Sequence, residues 1–150
     1  MTLSPQKLRE IVFQLLYSSD FVEGPQDDAI PFFMDHHEVS KKNLYIAEAQ
    51  RREITTKFPE IDELLRKTIT EYNFDKISRV EKNILRLAVY ELLFVPSVPP
   101  KVAIAEAIRL ARKFASPEAA SFINAVLDSV YKNRVQGNEC NSKQEGDSTS

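Results

Sequence analysis

The sequence has no tryptophan, one cysteine, two histidines and three glycines in 150 residues. Cys140 has no partner within the chain, which leaves neither a disulfide framework nor a cysteine zinc site available. His36 and His37 are neighbours, so on a helix they would point about 100° apart and could not easily clamp one metal ion. No glycine falls between Pro25 and Gln136, and strand-type alternation is scarce, which argues against a sheet with its several tight turns. A glycine-rich phosphate loop, a nucleophile elbow and a helical His-Glu-x-x-His are all missing. The carboxylates are mostly interleaved with Lys and Arg, as on solvated helix faces. No catalytic constellation emerges, and the chain reads as a non-enzyme without a cofactor. It also lacks an apolar run long enough to span a bilayer and the basic segment, apolar core and cleavage site of a signal peptide, so a cytoplasmic protein is expected.

What remains is helix. The fold expected is all-α, a compact bundle of about six or seven helices forming one domain over residues 1–135, large enough to bury roughly 70% of the surface its unfolded chain exposes. Residues 136–150 turn to Asn, Ser, Gln, Gly and charge with little to bury, and are expected to be a disordered polar tail.

Starts and stops are marked along the chain. Ser4-Pro5 caps a first helix, on which Leu8, Ile11, Val12, Leu15 and Leu16 form one buried face and Phe13, Tyr17 and Phe21 a second row. Glu23-Gly24-Pro25 ends it, and the acidic stretch 27–35 is expected to hold a helical turn or two. Ser40 caps a helix reaching Phe58, with Leu44, Ala47, Ile54 and the stem of Arg51 on one side. Pro59 starts another, burying Ile61, Leu64, Leu65, Thr68 and Ile69 and exposing Asp62, Glu63, Arg66 and Lys67. Ser78-Arg79-Val80-Glu81 is a capping box. The helix it opens is apolar almost all round, through Ile84, Leu85, Leu87, Ala88, Val89, Leu92 and Leu93, so it is expected at the centre of the bundle. The prolines 96, 99 and 100 break the chain before a helix with Val102, Ile104, Ala107, Ile108, Ala111 and Phe114 on its inner face. Ser116-Pro117 caps the last, whose stripe is Phe122, Ile123, Val126, Leu127 and Val130.

The literal strings add a second layer. Val80-Glu81-Lys82-Asn83-Ile84-Leu85-Arg86-Leu87-Ala88-Val89-Tyr90-Glu91-Leu92, then Pro100-Lys101-Val102-Ala103-Ile104-Ala105-Glu106-Ala107, then Phe122-Ile123-Asn124-Ala125-Val126-Leu127-Asp128 resemble, in order and spacing, the NusB family of bacterial transcription antitermination and termination factors. Leu8-Arg9-Glu10 and Gln14-Leu15-Leu16-Tyr17 resemble that family's first helix. The resemblance implies an RNA-binding adaptor that joins the ribosomal protein NusE on single-stranded boxA RNA of ribosomal RNA transcripts, within a complex of Nus factors on elongating RNA polymerase. Dimers occur among such proteins, so a homodimer is a further expectation.

Composition alone gives this reading little support, since the net charge of −2 is slightly acidic where a nucleic-acid binder is often basic. The basic excess is local: Lys101, Arg109, Arg112 and Lys113 against Glu106 on one helix, and Lys7 with Arg9 on the first. By resemblance, Lys7, Arg9, Lys101, Phe122 and Asn124 are the RNA-contacting candidates, with Phe122 suited to stacking on an unpaired base and Asn124 to hydrogen bonding a base edge. Phe122 also fits the apolar stripe, and Asn124 would need an internal polar partner if buried. Tyr17, Glu81 and Glu118 are the candidates for the protein partner, expected on a different face. Several positions depart from the family pattern. Pro5 and Gln6 stand where further arginines are often found, Ala105 replaces an Asn, and Ala125 adds a methyl where the family has Gly. Two other readings compete: a module that binds NusE with weak or lost RNA recognition, and the accessory helical domain of rRNA cytosine methyltransferases. Against the second, this chain carries neither the glycine-rich cofactor loop nor the paired cysteines of such enzymes.

Overall fold

The computed structural model describes residues 3–20 and 40–148, with side chains as far as 134. Among them are six α-helices and one 3-10 turn: α1 (Pro5–Ser19), α2 (Lys41–Thr56), α3 (Phe58–Thr68), the turn Phe74–Lys76, α4 (Arg79–Phe94), α5 (Pro100–Phe114) and α6 (Pro117–Ser148). Phe21, the break at Glu23-Gly24-Pro25, the acidic segment 27–35 and both histidines lie outside the described residues. The side chains of the polar tail from Gln136, Cys140 included, lie outside them as well.

Each start is set by a side chain or a proline that deals with the unpaired N–H groups of a first turn. Ser4 Oγ accepts from the N–H of Lys7 at 3.2 Å, Ser40 Oγ from Asn43 at 3.2 Å and Ser116 Oγ from Ala119 at 3.0 Å. Ser78 Oγ accepts from the N–H of Glu81 at 3.2 Å, and the Glu81 carboxylate returns to the Ser78 hydroxyl at 3.1 Å. Helix α2 stops at Thr56, two residues short of the expected end at Phe58, and Phe58 opens α3 one residue before the expected start at Pro59. Lys57 is at once the C-terminal cap of α2 and the N-terminal cap of α3, so a single residue joins the two.

Helix α4 packs against all five other helices, as its all-round apolar surface demands. Ile84, Leu85 and Val89 are fully enclosed, together with Ile11, Leu16, Leu44, Ile61, Leu65, Ile123 and Leu127 from its neighbours. Three positions differ from expectation. Val102 is 43% exposed, and Ala103 takes the inner place instead, because the buried face of α5 runs through Ala103, Glu106, Ala107, Leu110 and Ala111, and Val102 lies off that stripe. Asp62, expected among solvated charges, accepts from Arg86 Nε and Nη2 at 2.8 Å each, with 13% of either side chain exposed. The Arg86 guanidinium lies 4.2 Å above the Phe58 ring, so one residue of α4 fastens α3 by charge and by stacking. Arg51, expected to bury only its stem, also turns its head inward, onto Glu48 at 2.6 and 2.8 Å.

Candidate nucleic-acid interface

Two clusters gather several of the expected contact residues, and the sequence of each explains its geometry.

The first lies where the start of α1 crosses α5. Glu10, Glu91 and Glu106 are buried there, and burial of three carboxylates requires cations and donors to compensate them. Arg9 Nε and Nη2 donate to the two oxygens of Glu91 at 2.7 and 3.1 Å, and Nη1 stands 3.6 Å from Glu106. Gln6 Nε2 donates to Glu106 at 2.8 Å, and Arg109 Nε to the same carboxylate at 2.7 Å. Arg109 Nη1 and Lys113 Nζ both converge on Glu10 Oε1. Burial pushes the carboxyls of Glu10 and Glu106 up, but the cations against them outweigh it: Lys113, Arg109 and Lys7 for Glu10, and Arg109 and Arg9, with a hydrogen bond from Gln6, for Glu106. Both end below the ordinary carboxylate value.

This arrangement alters how the expected basic residues are read. Arg9 has 11% of its side chain exposed and is committed to Glu91 and Glu106, so its guanidinium braces the helices and is not presented to solvent. Arg109 and Lys113 are likewise engaged from below by acids, Arg109 by Glu106 of its own helix and by Glu10 of α1, and Lys113 by Glu10. Lys7 is half-buried, while Lys101, Ala105 and Arg112 are exposed.

The second cluster lies where α6 passes the 69–78 connection. Phe122 is half-buried, and its ring meets that of Tyr72 edge to face, with centroids 5.7 Å apart and planes at 88°. Tyr72 is 61% exposed, so the pair offers an open aromatic surface. Two grooves meet at it. The larger, about 580 Å³, is also lined by Asn73, Lys76, Ser78 and Glu81; the smaller, about 240 Å³, runs past Thr70, Ala125 and Ser129. Asn73 Oδ1 accepts from the N–H of Asp75 at 3.0 Å, an Asx turn that holds the connection beneath Tyr72. Asn124 is exposed, not buried against an internal partner, and Ala125 is exposed beside it.

The structure therefore brings Phe122 and Glu81 to one groove, although one is a candidate for RNA and the other for protein. Glu118, exposed, lies one turn before Phe122 on α6. Tyr17 stands apart on α1, its ring 6.4 Å from that of Phe13, which in turn packs on Phe114 at 5.2 Å. Tyr72 was missed from the sequence. Its signal was an aromatic residue set among polar and turn-forming neighbours, where there is little core for it to join.

Among the described residues no group of three or more His, Cys, Asp or Glu is placed to hold a metal ion, and no helix is long and apolar enough to cross a membrane. A third cavity, about 320 Å³ and mostly apolar, lies between α1, α2 and the end of α4.

Comparison with known proteins agrees with this architecture. The family model described as NusB family matches residues 6–132. The transcription antitermination protein NusB of Chlamydia pneumoniae is 37% identical over 126 residues, covering 84% of this chain and 79% of the relative. The solved structure of T. maritima NusB superposes with a TM-score of 0.76 at 28% identity, covering 88% of this chain and 93% of the other. A structure of antitermination factors NusB and NusE in complex with double-stranded RNA gives a TM-score of 0.72 at 26% identity, with coverages of 85% and 96%. With family, relatives and fold in agreement over nearly all the described helices, the chain belongs to the NusB family of transcription antitermination factors.

Proposed function

We propose that this non-catalytic antitermination factor binds single-stranded boxA RNA of ribosomal RNA transcripts jointly with NusE, and so links the transcript to elongating RNA polymerase and the other Nus factors. The observation that carries the RNA reading is the open Tyr72–Phe122 pair beside a groove edged with amide, hydroxyl, ammonium and carboxylate groups. Exposed aromatic faces flanked by hydrogen-bonding groups suit unpaired bases. In this reading Phe122 and Asn124 meet bases, Lys7 and Lys101 meet phosphates, and Glu81, Glu118 and Tyr17 serve the protein partner. Two weak contacts held on one assembly bind cooperatively, because the first places the second at high effective concentration.

The burial of Arg9 favours a second reading, a NusE-binding module with little RNA recognition, since it removes a cation from the expected phosphate contacts. A fluorescence titration separates the two: boxA RNA and a scrambled control, with and without NusE from the same organism, at two salt concentrations. Selective binding strengthened by NusE supports the first reading. Equal affinity for both RNAs, with NusE present or absent, eliminates it and leaves the second.

A further inference from the structure

The α1–α5 seam carries more cations than it presents. Glu10, on the second turn of α1, is 7% exposed and faces Arg109 and Lys113. These stand four positions apart and therefore share one side of α5. Both reach the same oxygen, Arg109 Nη1 at 3.5 Å and Lys113 Nζ closer still. Unlike Arg9, both are accessible, with 31% and 55% of their side chains exposed. They lie beside the start of α1, where the Arg109 guanidinium also donates to the carbonyl of Gln6 at 3.4 Å.

We propose that Glu10 sets the number of cations this face offers to RNA phosphates, by holding the Lys113 ammonium against the protein. The inference rests on the RNA-binding reading above and identifies an attenuating residue within it. An ion pair with one half-exposed partner is weak, so a phosphate competes for the same ammonium on nearly equal terms, and Glu10 subtracts from affinity without abolishing it. Arg109 is held more closely by Glu106, whose carboxylate accepts from its Nε at 2.7 Å and also anchors Arg9 and Gln6. Glu106 therefore joins α1 to α5 and keeps Arg109 in place whether or not Glu10 is charged, whereas the ion pair of Lys113 is with Glu10. The Glu10 carboxyl lies below the ordinary value and stays ionised at neutral pH, which makes the attenuation constant and not a switch.

The test is a salt series of boxA RNA titrations on the full chain, comparing wild type, Glu10→Gln, Lys113→Gln and the double variant. Each phosphate contact contributes about 0.7 to the log–log salt slope on single strands. Glu10→Gln is expected to steepen the slope by about 0.7 for the one ammonium released, an extra five-fold or so in affinity per tenfold fall in salt. Lys113→Gln should change the wild-type slope by less than about 0.3 and remove most of the gain in the Glu10→Gln background, a non-additivity that an independent surface charge would not show. Parallel slopes for wild type and Glu10→Gln would overturn the proposal. So would a flattening of about 0.7 by Lys113→Gln alone, an arm that needs no change at Glu10. Wild type that binds NusE but no RNA at any salt overturns the RNA-binding reading itself, and with it this inference, which is a different result from parallel slopes.

Discussion

Arg9 and Glu91, 82 positions apart, meet through two parallel N–H···O bonds with only 11% and 10% of their side chains exposed. The fork fits a carboxylate as no ammonium can, and it joins α1 to the central helix. Arg9→Ala leaves Glu91 without its partner, and is expected to destabilise the fold by roughly 2–4 kcal/mol, just below the cost of breaking a fully buried pair. Arg9→Lys keeps the charge and should lose about half as much. Urea unfolding measures both, and equal stability of Arg9→Lys and wild type would show that the fork is not what binds the helices.

Arg86 makes an analogous joint on the other side of α4, held to Asp62 and stacked on Phe58. Arg86→Ala should cost about 3 kcal/mol, since it strands a mostly buried carboxylate and uncovers a ring. Phe58→Leu should cost about 1 kcal/mol, the worth of the stacking platform. Thermal unfolding would check the order, and a larger loss for Phe58→Leu would contradict it.

The pH dependence follows from the seam. The carboxyls of Glu10 and Glu106 lie below 4.5 in the folded protein, so the unfolded chain takes up protons first as pH falls. Their stabilisation is complete above the unfolded value and is lost as the pH drops through the folded ones. Unfolding free energy should stay level from neutral pH to about 5 and decline below about 4.5. Replacing both with Gln should make that acid limb shallower, as followed by denaturant midpoints across the range; an unchanged limb would place the acid sensitivity elsewhere.

At the aromatic cluster, stability and binding should separate. Asn124 is exposed, so Asn124→Ala should leave stability within about 0.5 kcal/mol while reducing boxA affinity. Phe122→Ala should weaken RNA binding by roughly 1–3 kcal/mol if a base stacks there. Ala125→Gly should cost about 1 kcal/mol in helix stability and yet tighten RNA binding by clearing a methyl from the groove. Paired unfolding and titration measurements decide each case, and an Ala125→Gly variant with unchanged affinity would remove the groove wall from the interface.

Most of the helical frame was legible because its signals are local. Ser4, Ser40, Ser78 and Ser116 each cap the helix that the sequence assigns them, and the apolar surround of Ile84 to Val89 marks the centre. Asp62 and Arg9 were not legible. A charge on a helix face reads as solvated until a partner from a distant helix is known, and Arg86 and Glu91 lie 24 and 82 positions away. Val102 misled because apolar residues lie on both sides of the first turn of α5, and only the packing shows that the inner stripe passes through Ala103. At the candidate interface, Phe122 was legible through its string, but Tyr72 was invisible as a functional residue until the 69–78 connection was seen to lay it against that ring.

The junction at Lys57 limits how this chain can vary. Because one residue serves as both the end of α2 and the beginning of α3, the corner holds no spare length. A residue added there and absorbed into the helix would rotate α3 by about 100°, turning Ile61 and Leu65 from the core and taking Asp62 away from Arg86. Length changes that the connections 69–78 or 95–99 could accommodate are therefore closed to this corner. With α2 packed chiefly on α1 and α3 held to α4 through Arg86, the corner sets the direction in which α2 presents its outward Tyr45 and Ile46.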